Sequence, residues 1–142
     1  MAGAFKDDAE FARYPTRREA IEHVKECIKA IKTDTAAEAY LREHVPHEKH
    51  YQQLCRQTIL DMYPGAFVWK AQAGGYATSG MPDLVACIEG RFFAFEIKRP
   101  YFGKLSLMQE RRIEAIRKAG GKAYVVSFPH EVVAILREEF GG

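Results

Sequence analysis

Three charged side chains, Asp83, Glu96 and Lys98, border or interrupt two runs rich in Val, Ile and Phe, Leu84-Val85-Ala86-Cys87-Ile88 and Arg91-Phe92-Phe93-Ala94-Phe95-Glu96-Ile97. Two carboxylates brought together can hold a hard divalent cation such as Mg²⁺, which takes oxygen ligands and keeps several of its waters. The chain has the means to bring them together. Glu89-Gly90 between the runs is a turn signal, so the runs pair as an antiparallel hairpin with Ile88 facing Arg91. Counting back along both strands sets Asp83 opposite Glu96 on one face, because side chains alternate with period 2. Lys98 shares that face. Directly opposed side chains have Cβ atoms about 4.5–5.5 Å apart, and like charges so placed repel. A bound cation relieves that repulsion. An exposed strand end with Lys98 neutralising Glu96 would relieve it too, and a bulged turn would slip the register and set Asp83 opposite Phe95.

The neighbouring elements supply further candidates. Val45-Pro46 breaks the chain, and a helix follows from about His47 to Met62 with Tyr51, Leu54, Cys55, Thr58, Ile59 and Met62 as its stripe. Glu48 begins the inward face of that helix, where its carboxylate either reaches the site or complements the positive end of the helix dipole. His44, His47 and His50 sit three apart rather than in the four-residue His spacing of a zincin, so zinc is not indicated. Ala66 to Ala71 reads as a strand. The stretch from Gln72 to Pro82, with Gly74, Gly75 and Gly80, is either a flexible connector or a loop that lets a nucleic-acid backbone approach, with Tyr76 stacking or touching phosphate.

Beyond the hairpin, Ser106 opens a helix reaching about Ala119. Gln109 has capping-box spacing to Ser106 and also shares a face with Ile113 and Ile116, so it either caps or points to the site. Ala123 to Phe128 is a nearly continuous apolar strand, and a last helix runs from about Pro129 to Glu139. Ahead of all this, Ala20, Ile21, Val24, Ile28 and Ile31 mark an amphipathic helix from Pro15 to about Lys32, and Asp34 N-caps a second reaching His44. These helices form an extension (1–45) on a core (46–142), packing on it, supplying a dimer surface or touching a ligand. The predicted fold is α/β, a central mixed four-stranded sheet flanked by helices.

The 142 residues, 47% apolar and 28% charged, suit one globular domain with a real core. Net charge is only +2, but residues 91–122 hold nine Lys or Arg against three Glu, which leaves the remainder at −4. Cys27, Cys55 and Cys87 are odd in number and lack Cys-x-x-Cys spacing, which excludes a disulfide framework and a thiolate zinc site. No run is long enough to span a bilayer, and the expectation is a soluble, cytoplasmic protein without a membrane partner.

Gly80-Met81-Pro82-Asp83, Phe95-Glu96-Ile97-Lys98 and Gly103-Lys104-Leu105-Ser106-Leu107-Met108-Gln109, in this order, resemble the PD-(D/E)XK nuclease superfamily. More narrowly they resemble its virus-type replication-repair nuclease (VRR-NUC) domain, over roughly residues 46–137. The resemblance implies a Mg²⁺- or Mn²⁺-dependent deoxyribonuclease. Asp83 and Glu96 would ligate the metal with the Ile97 carbonyl, Lys98 would position or activate the attacking water, and Glu48 and Gln109 would complete the site. Tyr76, Ser79, Arg99, Lys104, Arg111 and Arg112 are the candidate DNA contacts. The implied partners are branched DNA, a Holliday junction or flap, and a second copy of the chain. A restriction-type or exonucleolytic enzyme of the same fold, or a non-catalytic nucleic-acid-binding module, is the alternative.

Overall fold

A computed structural model describes residues 3–71 and 80–141; Tyr76 and Ser79 lie outside them. A 3₁₀ segment (Asp8–Arg13) precedes α1 (Arg17–Cys27), α2 (Asp34–His44) and α3 (Glu48–Met62). Then come β1 (Phe67–Lys70), β2 (Leu84–Ile88), β3 (Arg91–Ile97), α4 (Leu107–Lys118), β4 (Lys122–Val126) and α5 (Pro129–Phe140). The sheet order is β1-β2-β3-β4, antiparallel at the first two pairings and parallel between β3 and β4. This is the mixed four-stranded sheet the patterning predicts. The parallel pairing follows from the crossover through α4, since a strand returning beside β3 in the same direction needs a helix-length connection.

Ile88 pairs with Arg91, so the turn is the tight two-residue form and no bulge slips the hairpin. Glu89 and Gly90 both adopt positive φ (49° and 81°), the pattern a type I′ turn demands. One sheet face carries Leu84, Ala86, Ile88, Phe93, Phe95 and Ile97 into the main core, with Tyr51, Cys55 and Ile59 of α3 and Val132 and Leu136 of α5. On the opposite face, α4 lays Ile113 over Ala94 and Ala123.

The helix boundaries depart from expectation where a side chain ends an element. Thr33, not Asp34, caps α2: its side chain accepts the Ala36 N–H, and Asp34 is the first helical residue. Asp34 instead takes Arg18 at 2.8 Å and Lys25 at 3.0 Å, joining α2 to α1. α1 stops at Cys27, short of Lys32, because Ile28 turns to an extended conformation while Ile28 and Ile31 still pack on the core. β4 ends before Phe128 because the Glu131 carboxylate accepts the N–H groups of Ser127 and Phe128, at 3.0 and 2.9 Å.

The N-terminal helical layer shares the core of the sheet. Ala4, Phe11, Ala20, Ile21, Val24, Ala37, Leu41 and Val45 are buried in the same cluster as the β-sheet side chains. Polar contacts tie this layer to the turn after β3. Tyr101 sits there at φ 69°, an uncommon conformation for a bulky residue. Its hydroxyl donates to the carbonyls of Phe11 and Tyr14 at 3.1 and 2.7 Å, and its own carbonyl accepts from Arg17 at 3.1 and 2.7 Å. The three cysteines are free, and among the described residues no helix is long and apolar enough to cross a membrane.

Because the N-terminal layer and the sheet share one core, they should unfold together. Leu41→Ala, which truncates a fully buried side chain, is expected to cost about 2–5 kcal/mol. In a urea titration, far-ultraviolet circular dichroism and Trp69 fluorescence should shift to the same lower midpoint; a separate early transition seen only by circular dichroism would contradict the shared core.

Candidate active site

The register builds the site. Leu84 pairs with Phe95 and Val85 with Ala94, so one further step sets Asp83 against Glu96, on the face that carries Val85 and Ala94. Lys98, two residues past Glu96, lies on that face as well. The Asp83 carbonyl accepts the Ala71 N–H at 2.8 Å and its carboxylate Oδ2 accepts the Ile97 N–H at 2.8 Å. Asp83 is therefore fixed by the backbones of both adjacent strands.

Glu96 is the one charged side chain buried among the described residues, at 1% exposure. Among the described residues neither Oε1 nor Oε2 has a hydrogen-bond donor, and Lys98 Nζ is 3.6 Å from Oε2. Burial is the first reason its pKa is raised. The Asp83 carboxyl is the second: protonating Glu96 would create a hydrogen bond between the two acids and remove the repulsion between their charges. Lys98 opposes that shift and Glu48 adds to it.

Lys98 is held from the helix side. Its Nζ donates to Gln109 Oε1 at 2.9 Å, and the same oxygen accepts the Ser106 N–H at 2.9 Å. Ser106 Oγ in turn accepts the Gln109 N–H at 3.1 Å, completing the capping box. Both readings of Gln109 hold at once, for it caps α4 and positions the ammonium. Glu48, the first residue of α3, also looks into the site. Burial and then the Asp83 charge raise its pKa, while Lys98 and the Arg99 backbone N–H favour its ionised form. Its Oε2 accepts from Gln52 at 3.4 Å.

Asp83, Glu96, Lys98, Gln109 and Glu48 thus converge. Ile97 contributes its N–H, described above. Arg99 is used differently from a surface contact: its guanidinium donates to the carbonyls of Arg42 (2.6 Å), Val45 (2.8 Å) and Pro46 (3.3 Å), where it satisfies the end of α2. Lys104 and Arg111 are exposed and Arg112 is half-buried. The histidines stay local, His44 on the Tyr40 carbonyl at 2.8 Å and His50 3.8 Å from Asp8. The N–H groups of Ile97 and Arg99 escaped sequence reasoning because a backbone donor leaves no residue signature.

The donor set fits a hard divalent cation. Two buried carboxylate oxygens without donors face a second carboxylate, and a cation would satisfy them together. No group of three or more His, Cys, Asp or Glu side chains among the described residues is arranged to hold a metal ion. Mg²⁺ does not require one, since one or two carboxylates, water and substrate phosphate are its usual shell.

The raised pKa of Glu96 makes a signed prediction for the metal-free protein. Its stabilising contribution is full below the unfolded-state value of about 4.5 and is lost as pH rises toward the raised folded-state value. The melting temperature should therefore fall between pH 5 and 8, and Glu96→Gln should flatten the decline and exceed wild type at pH 8. Each kcal/mol recovered corresponds to roughly 2–4 °C. Identical profiles for the two proteins in EDTA would mean that Glu96 is not strained by burial.

No protein-family model matches the chain, and no curated protein matches it. A solved structure described as a VRR_NUC domain does, at 25% sequence identity and a TM-score of 0.53, over 63% of this chain and 94% of that one. The chain carries the mixed-sheet fold of a VRR_NUC domain, the nuclease-domain family that its Gly80–Asp83 and Glu96–Lys98 motifs resemble.

Proposed function

We propose that the protein is a metal-dependent DNA endonuclease that hydrolyses phosphodiester bonds. The observation that carries this reading is the buried Glu96 carboxylate, without a donor on either oxygen among the described residues, facing Asp83 with Lys98 beside it. Asp83 and Glu96, with the Ile97 carbonyl and Glu48, would hold Mg²⁺ or Mn²⁺. When bound, such an ion lowers the pKa of coordinated water and screens the phosphoryl oxygens.

The side chains around it do the positioning. Gln109 Oε1 accepts one hydrogen bond from the Lys98 ammonium, which leaves its other two N–H donors to orient an attacking water and offset charge gathering on the phosphoryl group. The Ile97 N–H holds Asp83 in one orientation, so the ligand pair is set before substrate arrives. Lys104, Arg111 and Arg112, with Tyr76 and Ser79, are the proposed phosphate and base contacts. Branched DNA, a four-way junction or flap, is the proposed substrate in replication, recombination or repair. Two copies of the chain would cut the two strands of a junction symmetrically.

Incubation with junction, flap and linear duplex DNA, with and without Mg²⁺ or Mn²⁺, tests this directly. Cutting should require the metal, vanish in Asp83→Ala and Glu96→Ala, and fall roughly 10²–10³-fold in Lys98→Ala. Mg²⁺ or Mn²⁺ should also raise the melting temperature of wild type and leave Glu96→Ala unmoved. Binding without cutting under every metal condition would leave only a nucleic-acid-binding module, and equal cleavage of linear duplex would remove the preference for branched substrates.

A further inference from the structure

Beside the carboxylate site, three guanidinium groups gather on a single aromatic ring. The Arg42, Arg99 and Arg17 guanidinium carbons lie 4.2, 5.0 and 5.2 Å from the centroid of Phe102. They come from α2, from the turn after β3 and from α1. Three like charges on one ring repel one another, and their stacking on the ring does not remove that repulsion.

The three arginines differ in what else they hold. Arg99 is spent on the carbonyls at the end of α2, and Arg17 on the Tyr101 carbonyl with Glu38 at 3.8 Å. Arg42 is exposed, and its guanidinium has no carbonyl or carboxylate partner among the described residues. Its charge is felt by Arg99, whose pKa is lowered by burial first and by Arg42 second. Arg18, one residue from Arg17, shows the contrast: Glu22 and Asp34 neutralise it at 2.9 and 2.8 Å.

Arg99 also joins this cluster to the site. Its backbone N–H favours the ionised Glu48, and it follows Lys98 directly. The turn closes behind Lys98: a Cβ placed on Gly103 would meet Lys98 Cβ at 2.8 Å. Arg99 thus links the two, its backbone at Glu48 and its guanidinium on Phe102.

We propose that Arg42, backed by Arg17 and Arg99 on Phe102, binds a backbone phosphate of the nucleic acid engaged at the carboxylate site. The N-terminal helices would then extend the substrate track by one anchoring point. An anion is the ligand that relieves clustered cations, and planar guanidinium groups match the oxygens of a phosphate in two-point fashion. The inference rests on the nuclease reading for the identity of the polyanion, but its test does not depend on cleavage.

Binding of a labelled duplex in EDTA, read by fluorescence anisotropy between 50 and 300 mM salt, measures the number of phosphate contacts. Arg42→Ala should lower the slope of log affinity against log salt by about one and weaken binding roughly threefold or more near 0.1 M salt. Arg42→Lys should keep the slope, because the charge stays. Arg18→Ala, an equal loss of charge from the neutralised neighbour, should match wild type. An unchanged slope in Arg42→Ala, an equal loss in Arg18→Ala, or a wild-type protein that binds no duplex would overturn the proposal. Cleavage by wild type with Mg²⁺ or Mn²⁺ is scored separately, so a protein that cuts with an unaltered Arg42→Ala slope loses only this inference, and one that binds through Arg42 without cutting loses only the nuclease reading.

Discussion

A carboxylate closed off from water without a donor on either oxygen is the constraint on which the rest depends. Burying an ionised group costs several kcal/mol unless charges or dipoles replace its hydration. Among the described residues Glu96 has Lys98 alone, at 3.6 Å, to offset that cost, and a second acid beside it. A sequence selected for stability alone would place an apolar side chain there, as it does at Ala94 and Phe95. The surrounding fold supplies the surplus that tolerates it: β3 is flanked by strands on both edges, one of its faces lies in the main core, and α4 covers part of the other.

Tolerating the strain is one requirement, and holding the geometry is another. Lys98 lies where β3 leaves the sheet, where a chain is ordinarily free to drift. It is fixed from two directions. Its N–H donates to Val126 at 2.9 Å, and its ammonium donates to the Gln109 oxygen that also caps α4. A shift of the first turn of α4 would therefore move the ammonium. Tyr101, three residues on, holds an uncommon backbone conformation because the N-terminal layer accepts its hydroxyl and donates to its carbonyl. The N-terminal helices thus stabilise the turn from which Lys98 emerges, a role that packing alone would not give them.

How much of this was legible in the sequence follows from how local each cause is. The opposition of Asp83 and Glu96 was readable because it needs only a period of 2 and a turn of known length, and Glu89-Gly90 supplies the turn. The α4 cap was readable because Ser106 and Gln109 are three residues apart. Thr33 and Asp34 were not distinguishable as caps, since both residue types serve, and the choice fell to Asp34's ion pairs with Arg18 and Lys25. The short helix at Asp8–Arg13 has too few residues for a periodic signal. Arg99 was the least legible: its type and neighbours suggest a phosphate contact, and nothing local signals that its guanidinium donates to the carbonyls of residues 42, 45 and 46, more than fifty positions away.

That case bears on how the basic segment 91–122 is to be understood. A surplus of cations in a stretch of sequence is a statement about composition, and a field at a surface depends on what each cation already faces. Arg91 and Lys122 both approach Glu139, at 2.6 and 3.6 Å, and Lys118 pairs with Glu114 at 3.1 Å. Arg117 donates to the Ala123 carbonyl at 3.0 and 2.7 Å. Much of the surplus is therefore spent on closing β4 and α5 against the hairpin. The exposed part lies near the start of α4, at Lys104 and Arg111, and in α2 at Arg42, which the segment does not contain. The charge left over comes from two distant parts of the chain, because folding, and not the linear count, decides which cations remain available.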